Sequence, residues 1–228
     1  MRQLTNSLFF ILGAVVGSQV KLRLDHYTKP RPLPHQWGRL LHHPWRLWYR
    51  KPAETVNTFG LTPGMTALDL GCGTGVFTVE MARMVGEGGQ VHAVDLQEPL
   101  LRQAQQQVQQ AGLQARVYFH HCGAYALPFE TNSIDLAVVI ATLTQIPDSG
   151  AALRELYRVL KPGGSLAISA ELPDPAYVPP SLMRRRVAAV GYEYIGQSGT
   201  FFCYSQLYRV VKEPNTVDVI PEVIHESR

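Results

Sequence analysis

Cysteine is scarce in this chain. Cys72, Cys122 and Cys203 are the only three in 228 residues, and they show no C-x-x-C spacing and no adjacent histidine pattern. That indicates neither a zinc site nor a disulfide framework and fits a reducing compartment. Charge is also sparse, at 17% of residues, and 21 basic against 18 acidic side chains leave a formal net charge of +3, so the chain as a whole carries no field that would select a polyanionic partner. No long apolar run is present either: Leu8 to Val16 is a continuous stretch of nine, and Leu4 to Val20 reaches seventeen only with polar interruptions. A membrane-crossing helix needs about twenty mostly apolar residues, with about seventeen as the lower bound. At this length the chain holds one α/β domain with a full core and is too short for two of ordinary size.

The most informative stretch is Thr66-Ala-Leu-Asp69-Leu-Gly71-Cys72-Gly73-Thr-Gly75-Val-Phe77. Ala67, Leu68 and Leu70 supply a buried strand, and three close glycines turn it into a helix with the backbone presented to a ligand. Asp69 stands at the strand end, placed to aim into the crevice at the carboxyl edge of a parallel sheet. A dinucleotide fingerprint, G-x-G-x-x-G, would put its third glycine where Val76 stands, so the spacing disfavours a nucleotide-dependent oxidoreductase. A second apolar strand, Gln90-Val-His-Ala-Val-Asp95, ends in a carboxylate twenty residues after Gly75, the place from which a ribose diol is read.

These pieces, with Leu127-Pro-Phe129, Ile146-Pro-Asp148 and Arg158-Val-Leu-Lys-Pro-Gly-Gly164, resemble the class I S-adenosylmethionine-dependent methyltransferases over residues 55–210, most closely the branch of the ubiquinone and menaquinone C-methyltransferases. The resemblance implies S-adenosylmethionine as cofactor, with Asp69 and the turn of Gly71, Cys72, Gly73 and Gly75 at the methionine moiety. It also places Asp95 at the ribose hydroxyls and Leu96 at the adenine face, with Ile140 among the cofactor contacts. One departure stands out. Gly123, followed by Ala124, occupies the place of the family's adenine-binding aspartate, so backbone groups at Gly123 and Ala124, or a water, would hold the base. A non-catalytic cofactor-binding or scaffold protein is the alternative this departure sustains.

The remaining pattern predicts a doubly wound, mostly parallel, seven-stranded Rossmann-like sheet closed by a C-terminal antiparallel hairpin. Helices are read at residues 76–85, from Pro99 to Gly112, and at 151–160 and 181–189. Strands are read at 116–120, 134–141, 165–171, 193–198 and 200–209, and Lys161-Pro-Gly-Gly164 is read as a turn. Methyl transfer needs no obligatory nucleophile; a carbon or phenol acceptor would gain from a base, for which Glu171 and Tyr177 are the candidates, with His43 and Asp148 behind them.

The amino-terminal segment is read as an uncleaved anchor over residues 1–20, followed by a basic and aromatic segment at 21–54, the catalytic domain at 55–211 and a polar tail at 212–228. From Lys21 to Lys51 there are eight lysines and arginines against one acid, Asp25, and all three tryptophans, Trp37, Trp45 and Trp48. Positive-inside orientation would put the domain in the cytoplasm, and tryptophan with basic side chains favours the headgroup layer. The same stretch also reads as a helical lid, Leu40 to Tyr49, packing its aromatic face on the core. A small-molecule or lipid-like acceptor, a membrane link and no nucleic acid follow as expected partners.

Overall fold

The computed structural model describes residues 17–212 apart from Gln19, His26 and Tyr27. Its sheet comprises β1 (Thr66–Leu70), β2 (Gln90–Asp95), β3 (Val117–His121), β4 (Ile134–Ile140), β5 (Leu160–Glu171), β6 (Tyr192–Gly199) and β7 (Cys203–Val210). The spatial order is β3-β2-β1-β4-β5-β7-β6. The first five are mutually parallel, while β7 runs antiparallel between β5 and β6. The central strands β1 and β4 are mostly apolar because both faces are covered.

Helices α1 (Pro44–Tyr49), α2 (Pro52–Asn57), α3 (Val76–Met84), α4 (Glu98–Gln110), α5 (Ser149–Val159) and α6 (Pro180–Ala188) complete the fold. On one face α2, α3 and α4 bury Val56, Met81, Leu101 and Val108 against Ala67, Val91 and Val138. On the other, α5 and α6 bury Leu153, Leu156, Met183 and Val187 against Leu68, Val139 and Ile168. The strand order turns back at β1, between β2 and β4, which opens a ligand crevice at the carboxyl ends of those strands. The Lys161-Pro-Gly-Gly164 stretch, expected as a turn, falls within the bounds of β5 but has no ladder partners there, and Gly163 adopts a φ of 74°. Leu160 pairs with Ile134 and Ser165 with Leu136, so the ladder resumes across a register shift.

The segment before α2 is a strap laid over that crevice. At its start Leu33 accepts a hydrogen bond from Gln97 Nε2 (2.8 Å) and donates its amide to Gln145 Oε1 (2.9 Å), bridging the ends of β2 and β4. A 3-10 helix, His35–His42, follows. Its Gly38 is so close to Leu100 that a Cβ would fall 2.9 Å from Leu100 Cδ2, and Leu41 lies 3.1 Å from where a Cβ on Gly73 would be. Helix α1 then drives two arginines under the strap. Arg46 Nε donates to Glu171 Oε1 (2.8 Å), Arg50 Nη1 pairs with Glu171 Oε2 (3.0 Å), and Tyr49 Oη donates to the same oxygen (3.1 Å). Arg50 also donates to Ser169 Oγ, and both guanidinium groups lie beside the Phe77 ring, 5.7 and 5.5 Å from its centroid.

The segment docks on the core through Arg46, Tyr49 and Arg50, while Trp45 and Trp48 of the aromatic face expected to pack there stay exposed, and the transmembrane-helix expectation is corrected. Among the described residues no helix is long and apolar enough to cross a membrane. Residues 1–16 of the expected anchor lie outside the described residues, and the helical stretch at 20–25 already carries Lys21, Arg23 and Asp25. Charges at that spacing exclude those turns from hydrocarbon. The expected tail lies outside the described residues from 213 onward.

Burial pushes the Glu171 carboxyl up, but Arg50 and Arg46 overcome it and hold the group below the usual carboxylate range. A depressed folded value stabilises the protein above the unfolded value of about 4.3, and this contribution is lost as pH falls below it. Glu171→Gln leaves two buried guanidinium groups without their counter-charge. It is expected to cost about 3–5 kcal/mol and to flatten the acid limb of the stability profile. Urea denaturation at pH 7 and pH 4 reads both effects; a loss below about 1 kcal/mol would mean that the strap is held by other contacts.

Candidate active site

The glycine turn places its backbone across the carboxyl end of β1. Gly71, Gly73 and Gly75 all adopt positive φ, at 74°, 55° and 85°. At Gly71 a Cβ would fall on the Thr142 side chain, and at Gly75 it would lie 2.9 Å from the Ala104 backbone, so the first glycine lets the β4 end approach and the third lets α3 pack on α4. Cys72 is buried in the turn, where burial pushes its thiol well above the ordinary value and keeps it an inert space-filler.

Asp69 does not face the crevice as expected. It is 2% exposed and accepts a hydrogen bond from Thr78 Oγ1 on α3 at 2.6 Å. Burial raises its carboxyl to about 6, against the lowering effect of Thr78, with the Asp95 charge adding to the rise. Asp95 reaches back to the turn: Oδ2 accepts from the Gly73 amide (2.9 Å) and Oδ1 from the Gln97 amide (2.8 Å). Burial raises this carboxyl too, opposed by those amides. The β2 carboxylate and the glycine turn are thus one unit, and Asp95 holds the turn in shape.

Beside Asp95 the surface forms an apolar slot. Leu96 is 58% exposed, and a Cβ on Gly123 would meet nothing nearer than Leu96 Cδ1 at 4.0 Å. Ala124, next to Gly123, and Ile140, at the end of β4, are buried, at 9% and 8% exposure. The residues present fit S-adenosylmethionine on two counts. The Thr74 hydroxyl, buried inside the glycine turn, has no hydrogen-bond partner, and Leu96 with Gly123 leaves a flat apolar place for a base next to a diol-reading carboxylate. Buried polar groups are normally paired, so an orphan hydroxyl in a ligand-facing turn marks a position a ligand can complete.

The expected bases fare differently. Glu171 is at the β5 edge but committed to Arg46, Arg50 and Tyr49. Tyr177 donates its hydroxyl to Phe201 O at 2.5 Å, and burial raises its pKa. His43 caps α1 by accepting from the Trp45 amide (3.3 Å), and Asp148 caps α5 through the Ala151 amide (2.8 Å). A group absent from the expectations stands closer to the crevice. Asp174 lies in the loop after β5, and its Oδ2 is 3.5 Å from Nε2 of Gln145, the residue that also bonds Ala141 O and Leu33 N. The proline-rich stretch around it reads only as loop, and the signal that could have found it is its position just past a strand end at the expected substrate edge.

Comparison with known proteins agrees with this geometry. Residues 61–179, just over half of the chain, match the family described as methyltransferase domain. The ubiquinone/menaquinone biosynthesis C-methyltransferase UbiE of Escherichia coli is 38% identical over 123 residues, which is 54% of this chain and 48% of that protein. The chain thus spans about half the length of the curated relatives it matches. Among solved structures, a SAM-dependent methyltransferase from Aquifex aeolicus superposes with a TM-score of 0.73 at 26% identity, covering 79% of this chain and all of the other. The cyclase SpnF shares the fold, with a TM-score of 0.63 at 20% identity over 71% of this chain and 80% of that one. The sheet order, the glycine turn coupled to Asp95 and the match over residues 61–179 lead to one conclusion: the chain belongs to the methyltransferase domain family and has the class I S-adenosylmethionine-dependent methyltransferase fold.

Proposed function

We propose that this enzyme methylates a small apolar acceptor with a quinol- or phenol-type ring. The observation that carries the transferase half is the Asp95–Gly73 coupling beside the orphan Thr74 hydroxyl and the open Leu96–Gly123 slot. The acceptor class rests on the 38% identity to UbiE, whose name states a quinone-biosynthesis C-methylation. The bound cofactor supplies a sulfonium whose methyl group is already activated, so the protein's share is placement. In this reading Asp95 holds the ribose diol, Leu96 lies against the adenine, and backbone at Gly123 and Ala124 faces the base. The turn of Gly71, Cys72, Gly73 and Gly75 lies along the methionine, with Ile140 beside it at the end of β4. Asp69 acts indirectly, through Thr78, by fixing the start of α3. The strap keeps water from the reacting centre and must be displaced when ligands exchange.

The acceptor's route follows from the strap's outer face. Trp37 and Trp45 are each 54% exposed and Trp48 is 74% exposed, while Trp45, Tyr49 and Phe202 stack edge to face in succession. This reading makes the aromatic face a peripheral contact with a lipid surface from which an apolar acceptor is drawn.

The two halves have separate tests. Asp95→Ala is expected to weaken S-adenosylmethionine binding about thirty- to thousand-fold by calorimetric titration, from the loss of charge-assisted hydrogen bonds worth about 2–4 kcal/mol. Unchanged affinity would remove Asp95 from the site. Gly123→Asp adds the missing carboxylate into open space and should tighten binding by about 1–2 kcal/mol; weaker binding in a variant that melts normally would favour a pocket rebuilt around the glycine. For the surface, co-sedimentation with vesicles containing phosphatidylserine should fall for Trp45→Ala/Trp48→Ala. Equal sedimentation of the variant and the parent would exclude this face.

A further inference from the structure

We infer that Asp174 is the general base for the acceptor hydroxyl, an inference that rests on the methyl-transfer reading above. Its location is set by the contacts of the strand ends. The β4 end passes through Ala141, which adopts a left-handed φ of 52°, to Thr142, whose Oγ1 lies 3.4 Å from Gly71 O of the glycine turn. One turn on, Gln145 Nε2 donates to Ala141 O at 2.7 Å and reaches Asp174 Oδ2 at 3.5 Å. The carboxylate is thus linked through Gln145 to the segment after β4 that touches the glycine turn through Thr142, and in the methyl-transfer reading it stands on the side from which an acceptor approaches. A left-handed alanine costs about 1–2 kcal/mol and is kept only where the surroundings dictate it; here it lies between the end of β4 and the short 3-10 turn Leu143–Gln145.

The other carboxylates at this edge are committed. Asp69 is held by Thr78, Asp95 by the amides of Gly73 and Gln97, Glu171 by Arg46, Arg50 and Tyr49, and Asp148 by the Ala151 amide. Asp174 spends Oδ1 on the Ala176 amide at 2.8 Å, which fixes the group in its turn, and leaves Oδ2 with only the long Gln145 contact. The charged groups that act on it are Glu171 from β5 and Arg46 from α1. Burial is the largest influence and, with the Glu171 charge, raises the carboxyl to about 6, while the Ala176 amide, Gln145 and Arg46 oppose the rise. A base poised near 6 is ionised at pH 7 and strong enough to matter, the compromise general-base catalysis requires.

The step balances as follows. The Asp174 carboxylate takes the acceptor's O–H proton, and the electron pair released to the ring makes a ring carbon the nucleophile. That carbon forms its bond to the methyl group as the methyl–sulfur bond breaks with its electrons left on sulfur. The carbon then loses its hydrogen as a proton, restoring the aromatic ring as a phenolate, and the ring oxygen takes its proton back from Asp174. Net, one ring hydrogen is replaced by methyl and one proton is released, so no oxidant or reductant is needed.

The test compares wild type with Asp174→Asn, using an alkyl hydroquinone and a chlorinated hydroquinone that is already ionised at pH 8. With the first acceptor the variant should lose about a hundred- to ten-thousand-fold in kcat and the acidic limb near pH 6. The second acceptor should restore most of the rate, while S-adenosylmethionine affinity stays within about twofold. An equal loss with both acceptors, or a retained limb, would overturn the inference and assign Asp174 a positioning role. Independently of turnover, infrared difference spectra of the cofactor-free proteins should show a protonated-carboxyl band that titrates near pH 6 in wild type and is missing from the variant. Asp69 titrates in the same range, cancels in that difference, and cannot mimic the signal. Absence of the band would also overturn the inference. A wild type that binds the cofactor yet methylates neither acceptor would overturn the ring-methylation reading itself, and the base with it.

Discussion

The strap and the active-site edge both depend on one buried ion cluster, in which Glu171 at the end of β5 holds Arg46 and Arg50. Two guanidinium groups cannot be taken out of water without a counter-charge, and the carboxylate, in the reverse sense, would be pushed toward its neutral form by burial alone. Their joint burial fixes where α1 lies. Because α1 follows directly on the 3-10 helix, it also fixes how Gly38 and Leu41 sit over the glycine turn. The Phe77 ring beside both arginines ties the cluster to α3, the helix that the third glycine sets in place.

A division of labour among acids follows. Four carboxylates gather at the carboxyl edge of β1, β2 and β5, and their surroundings push them apart. Glu171 is lowered by its arginines, whereas Asp69, Asp95 and Asp174 are raised mainly by burial. A raised folded value stabilises the protein below the unfolded value of about 3.9 and loses that contribution as pH climbs through the folded value. Asp69 and Asp174 therefore erode stability between about pH 4 and 6, in opposition to Glu171. Carboxyls kept at such a cost are characteristic of places where chemistry or ligand contact occurs.

What could be read from the sequence was what is local. The strand–glycine–helix turn, Asp95 at the end of β2, the apolar face Leu100, Ala104, Val108 of α4 and the final hairpin all depend on spacing within a few residues, and the structure has them within three positions. What escaped depends on distance in the chain. Arg46 and Arg50 were counted as headgroup charges, and nothing in their spacing foretells a partner 125 residues away. Glu171 was singled out as a base because its position is right, and only its neighbours show that it is spent. Asp174 sat in a proline-rich loop with no periodicity to draw notice. The turn expected at Lys161-Pro-Gly-Gly164 folds back on itself inside the bounds of β5, and what the sequence did not show is that the ladder with β4 starts before it, at Leu160, and resumes after it, at Ser165.

The cluster also orders events during synthesis. Arg46 and Arg50 leave the ribosome more than a hundred residues before Glu171, and β5 is itself sandwiched by β7, whose last residue is Val210. Until nearly the whole domain has emerged, the nascent strap has two cations with no counter-charge to dock on. It is therefore the last part of the domain to close, although it is the first to be made. A chain released early would carry this undocked segment in front of an unfinished sheet whose apolar faces are uncovered, the kind of intermediate that chaperones retain.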